Sequence, residues 1–210
     1  MTVPRAMRIA ASAALALTLL VLGAALRPLV LPERHSAPPV LSTVETGFTQ
    51  DMAAHHQQAL LMADRLAPDA DPTVRRLARQ ITDTQRIEIG TMLGWLRLAG
   101  ASPLPTEHLG WLPAGHRHDG PDEAAGGMPG MASTADLDAL TAARGRDADI
   151  LFLQLMIRHH EGGVAMARAA DALLERGPVK ETARSMVQQQ GQELGVLNAL
   201  LVQFGGQPLP

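Results

Sequence analysis

The chain has 210 residues, a net charge of −3 and no cysteine. The missing cysteine excludes disulfide scaffolds, Cys-type zinc sites, iron–sulfur clusters and thiol catalysis. With 2% aromatic residues, no tyrosine and no basic surplus, the composition also argues against nucleic acid as a partner.

Chain order begins with a leader. Arg5 and Arg8 precede an uncharged run over residues 9–26, closed by Arg27. A basic flank followed by an apolar run is a secretory signal or a membrane span. The sequence therefore predicts export. The protein is anchored to the outer face of the cytoplasmic membrane by residues 9–26, or secreted if the signal is cleaved. Residues 28–42 hold Pro28, Pro32, Pro38 and Pro39 and read as an extended tether, with His35 alone in it.

Four long helices follow, expected at about 43–66, 72–99, 146–176 and 178–203. Asp71-Pro72 is a start signal, an N-cap followed by proline, and Gly177-Pro178 marks the start of the fourth. Ser133 and Asp136 resemble a capping box opening a shorter helix that ends near Gly145. Between the two helix pairs lies a Pro/Gly-rich linker, about 100–132, carrying His108, His116, His118, Met128 and Met131. It reads as a flexible crossover, or alternatively as a copper-capturing arm.

The helical part is written twice. Phe48, Met52, His55, His56 and Met62 recur as Phe152, Met156, His159, His160 and Met166 at an offset of 104. Gln85 and Glu88 recur as Gln190 and Glu193 at an offset of 105. Two such hairpins, each apolar on one face, predict an all-α antiparallel four-helix bundle.

At about 100° per residue, His55 and His56 share the face of Phe48, Met52 and Met62, and the second copy matches. Glu45 and Asp149 fall on the same stripes. Gln85 and Glu88, like Gln190 and Glu193, fall inside apolar stripes of the second helices. The predicted core thus receives four His and up to four carboxylates: Glu45, Glu88, Asp149 and Glu193. Buried charges are paired or bind metal. The pattern is read as a metal site, with a structural His–Glu network and a metal-free acid–base site as the alternatives. Met at helical spacing is ordinary core filling, yet thioethers beside imidazoles suit Cu(I).

The Phe-x3-Met-x2-His-His-x5-Met-Ala pattern, Met128-Pro-Gly-Met131 and Gln85-x2-Glu88-Ile-x2-Met92-x2-Trp95 together resemble the domain-of-unknown-function family 305 over about residues 43–204. The resemblance implies a ferritin-like fold, export and, for some members, copper binding or resistance. The site residues it implies are Met52, His55, His56 and Met62 with Met156, His159, His160 and Met166, and Glu88 and Glu193 match the family's Gln-x2-Glu pattern. The second copy lacks the Trp, so the hairpins need not be equivalent. Copper is the expected metal, with zinc or iron as alternatives. The competing functions are a ferritin-like metal-dependent redox enzyme and a metal-free cell-surface helical module. Di-iron bundles use Glu-x2-His pairs, and no acidic residue stands three before any of these His. No nucleophile turn and no phosphate-binding Gly loop is present.

Overall fold

A computed structural model describes residues 4–30, 40–113 and 127–209. The described residues are helical, without strands, and divide into residues 1–39 and 40–210 as two units. In the first unit, helix α1 spans Arg5–Val30. The apolar run is therefore one helix, and it continues past Pro28, where the tether was expected to begin. No helix among the described residues is long and apolar enough to cross a membrane, so the anchor expected over residues 9–26 is not supported. Residues 31–39 of the tether, including His35, lie outside the described residues, as do His116 and His118.

The second unit contains α2 (Thr43–Arg65), α3 (Pro72–Leu98), α4 (Thr134–Ala142), α5 (Gly145–Leu173) and α6 (Pro178–Gln203). Local chemistry sets these limits. Ser42 and Glu45 cap α2 reciprocally, and Ser133 and Asp136 do the same for α4. The Asp71 side chain accepts from the Thr73 amide, with Pro72 at the first helical position of α3. Gly177, at φ 106°, turns the chain into Pro178 and α6. Helix α5 stops at Leu173, short of the expected 176, and the chain turns before Gly177-Pro178.

Helix α2 packs on α3, α5 packs on α6, and α2 and α5 pack on each other, with α4 against both. Two apolar clusters result. One contains Met62 and Met156 with Phe152, Ile81 and Leu153. The other contains Met52 and Met166 with Phe48, Trp111 and Met128. Because Met52 meets the Met166 end of α5 and Met62 the Met156 end, α2 and α5 run in opposite directions. Phe48 and Phe152 are 1% and 0% exposed, and each such buried ring contributes about 1.5–3 kcal/mol.

The end of the linker is part of this core. Met128 is buried, and Gln58 clamps Ala132 by accepting from its amide and donating to its carbonyl. Arg158 donates to Asp136 and to the Met131 carbonyl. Residues 127–132 are thus fixed, contrary to the expectation of a flexible crossover or free arm. Their approach to α5 requires glycine. A Cβ on Gly162 would stand 2.0 Å from the Pro129 carbonyl oxygen, and one on Gly130 2.3 Å from that of Arg158. Backbone cannot yield as a flexible side chain does. Gly162→Ala is expected to destabilise the protein by about 2 kcal/mol, within the usual overpacking range. Thermal melting checks this, and an unchanged midpoint would mean the segment does not seat there.

Candidate metal centre

Four imidazoles meet where α2 and α5 cross. His55, His56, His159 and His160 are all 0% exposed. The His55 and His159 rings stack with centroids 3.8 Å apart and planes at 31°. The outer pair, His56 and His160, lie with centroids 6.4 Å from His55 and 6.1 Å from His159 respectively.

The Nε2 atom of every ring has a partner. Nε2 of His56 lies 2.7 Å from Glu88 Oε2, and Nε2 of His160 lies 2.8 Å from Glu193 Oε2. Nε2 of His159 donates to the His55 carbonyl at 2.9 Å, and Nε2 of His55 to the Pro129 carbonyl at 3.2 Å. A carbonyl oxygen can only accept, and a carboxylate does the same when ionised. The partners therefore place a hydrogen on Nε2 in all four rings, and in a neutral ring the lone pair is then on Nδ1. All four Nδ1 atoms are buried and have no hydrogen-bond partner.

Burial also keeps the central rings neutral. Desolvation, then the neighbouring His56, lowers the His55 pKa to about 3. Desolvation, then His55, takes His159 well below 6.5. At neutral pH their lone pairs are free of protons, which is what a metal requires of an imidazole. A ring N–H given to a carboxylate or backbone carbonyl, with the opposite nitrogen free, is the arrangement that orients a metal-binding histidine.

Thioethers stand on both sides. Met52, Met62, Met156 and Met166 are 0–2% exposed. Met52 and Met166 share one apolar cluster and Met62 and Met156 the other, so each cluster joins a methionine of one hairpin to one of its counterpart. No group of three or more His, Cys, Asp or Glu among the described residues is placed to hold one metal ion.

Two carboxylates expected in the core are engaged by backbone amides at helix starts. Glu45 is only partly buried and accepts from the Ser42 amide at 2.7 Å, completing the cap of α2. Asp149 is 3% exposed but accepts from the Asp71 amide at 2.9 Å, at the start of α3. Each sits near a helix end, where unpaired backbone amides draw an acid that the helical wheel points inward.

The sequence reading passed over other buried groups. Asp51 is 0% exposed and accepts from His108 Nδ1 at 2.7 Å, the Leu109 amide at 2.8 Å and Trp111 Nε1 at 2.9 Å. It fastens the first part of the linker to α2, next to Met52. Trp111 lies edge-on to Phe48 and directly over Gly47, where a Cβ would be 2.7 Å away. His108 is therefore engaged by Asp51. The Pro129 carbonyl, unreadable from side-chain type, orients His55.

Glu88→Gln and Glu193→Gln keep the shape but replace a carboxylate acceptor with an amide that can turn either way. Each is expected to weaken metal binding by roughly tenfold, the lower end for partners that orient a ligand. Isothermal titration of the single variants checks this, and unchanged affinity in both would remove the carboxylates from the site.

The family model described as Domain of unknown function (DUF305) matches residues 45–201. The chain belongs to the DUF305 family. Among solved structures, it is similar to a DUF305 protein of Streptomyces coelicolor described as secreted, at 34% identity and a TM-score of 0.70. That match covers 80% of this chain and 96% of the other. A DUF305 fragment from Deinococcus radiodurans is 33% identical at a TM-score of 0.65, covering 79% and 99%. CopM in the Cu(II)-bound form is 26% identical at a TM-score of 0.59, covering 76% and 97%. CopM in the Cu(I)-bound form is also 26% identical, at 0.58, covering 77% and 98%. The search of curated proteins returned no match.

Proposed function

We propose that this DUF305 protein is an exported copper-binding protein that serves copper homeostasis. The observation that carries the reading is the set of four buried, unpartnered Nδ1 atoms whose opposite ring nitrogens are already oriented. A buried acceptor left without a partner costs about 1–3 kcal/mol. A purely structural His–Glu network has no reason to leave one on each of four rings. Copper satisfies them, with Met52, Met62, Met156 and Met166 as soft donors beside His55, His56, His159 and His160. Glu88 and Glu193 orient His56 and His160. Soft thioethers favour Cu(I) over zinc or iron. Solved copper forms of CopM, a relative at 26% identity, support the same metal.

The wider reading is a ferritin-like antiparallel four-helix bundle over residues 43–204, built from two duplicated hairpins and preceded by a leader. Leu15, Leu17, Leu19, Leu20 and Leu22 of α1 are 53–72% exposed, as suits a segment meant for the export machinery or a lipid surface. The leader is cleaved, or it holds the protein at the outer face of the cytoplasmic membrane. A ferritin-like redox enzyme fits less well, because Glu88 and Glu193 are already bonded to His56 and His160.

The test is anaerobic titration of the purified protein with Cu(I) against a chromophoric chelator, with Zn(II) and Fe(II) in parallel. Tight Cu(I) binding with weak zinc and iron binding is expected. A preference for zinc or iron, or no metal binding, overturns the reading.

A further inference from the structure

Gln85 and Gln190 are 2% and 3% exposed, yet both polar atoms of both amides lack a hydrogen-bond partner. Amide atoms buried without a partner are costly to a fold unless something meets them. The two residues occupy equivalent places. Each lies one helical turn before the glutamate that holds an outer imidazole, Glu88 on α3 and Glu193 on α6.

In the second hairpin the next rung is visible. His160 faces Glu193, and one turn further along α5 Gly163 faces Gln190. A Cβ on Gly163 would stand 2.4 Å from Gln190 Oε1. Glycine at 163 thus leaves room for the amide oxygen. The rung lies between His160 and Met166 along α5. In the first hairpin Gln85 is the counterpart of Gln190 by the internal repeat, with Ala59 in the place of Gly163.

The imidazoles suit copper in either oxidation state, whereas thioethers favour Cu(I) and oxygen donors favour Cu(II). Glu88 and Glu193 are occupied in holding Nε2. The amide oxygens of Gln85 and Gln190, by contrast, are buried on this stripe with no hydrogen-bond partner at all. We propose that the side-chain oxygens of Gln85 and Gln190 are the donors these sites offer to Cu(II), complementing the methionine sulfurs that hold Cu(I). The proposal rests on the copper reading above and extends it to the second oxidation state.

The test compares the full-length wild type with Gln85→Leu/Gln190→Leu and Gln85→Glu/Gln190→Glu. Cu(I) affinity is read by chelator competition and Cu(II) by titration and electron paramagnetic resonance. Leucine is expected to leave Cu(I) binding within roughly twofold and to weaken Cu(II) by roughly tenfold or more, with a changed hyperfine splitting. Glutamate is expected to restore or tighten Cu(II) binding, with its own spectral shift. Unchanged Cu(II) affinity and spectra in both variants would overturn the proposal and leave the amides as water holders. Equal loss of Cu(I) and Cu(II) in the leucine variant, without rescue by glutamate, would also overturn it, as a packing effect. If the leucine variant fails to fold, the glutamate variant decides by whether its Cu(II) spectrum moves. Failure of the wild type to bind either ion sinks the copper reading itself, whereas wild-type binding of both with unmoved variants sinks only the role of the amides.

Discussion

Replacing His55, His56, His159 and His160 together with Ala is expected to lower copper affinity by about a thousandfold or more, roughly 4 kcal/mol. The four Nδ1 atoms are the proposed nitrogen donors at the α2–α5 crossing, and each ring is held by a bond on its far side. Alanine leaves space as well as removing donors, so the single variants accompany the quadruple one. Each single change removes one donor while the rest of the core stays packed. Wild-type affinity in the quadruple variant, lost only when linker Met or His residues are removed, would move the site to the linker.

Acidification below about pH 6.5 should destabilise the metal-free protein. The folded-state pKa of His55 is depressed to about 3 from 6.5, so between these values the unfolded chain binds a proton that the folded chain refuses. Stability is therefore unaffected by His55 above 6.5 and falls as the pH drops through that window. At about 1.36 kcal/mol per unit, His55 alone costs roughly 2 kcal/mol by pH 5. His159 shifts in the same direction and adds to the loss. The Thr73 amide holds the Asp71 carboxyl below 3.8, so its contribution is lost only at still lower pH. Urea midpoints of the metal-free protein at about pH 7, 6 and 5 separate the two effects. A flat profile over that range would contradict the burial of the stacked rings.

The long helices were readable because their signals are local. Asp71-Pro72, Ser133 and Gly177-Pro178 each state where a helix begins, and the structure follows them. The inward His pairs and the inner positions of Glu193 and Gln190 were readable from period alone, since interior residues of a long helix keep one face. Glu45 was misplaced, and Asp149, although buried as its period predicts, is held by the Asp71 amide, because period says nothing about unpaired amides near helix ends. Asp51 was missed for a different reason. It precedes Met52 by one residue, about 100° round the helix from it. Its partners His108, Leu109 and Trp111 come from a segment without periodicity. The Pro129 carbonyl that orients His55 carries no side-chain signal at all. What the sequence withheld was chiefly the linker, whose fixed position comes from long-range bonds and close backbone approach.

The stacked pair at the crossing takes one ring from each hairpin, and the thioether clusters are divided in the same way. Neither half of the chain therefore owns a complete receptacle. Were the hairpins separate molecules, assembly would be a bimolecular event, and half-formed receptacles would accumulate at low protein concentration. Joining them through the linker makes the encounter intramolecular, with an effective concentration set by the connection rather than by abundance. On the copper-binding reading, binding capacity should then scale linearly with the amount of protein, even at high dilution.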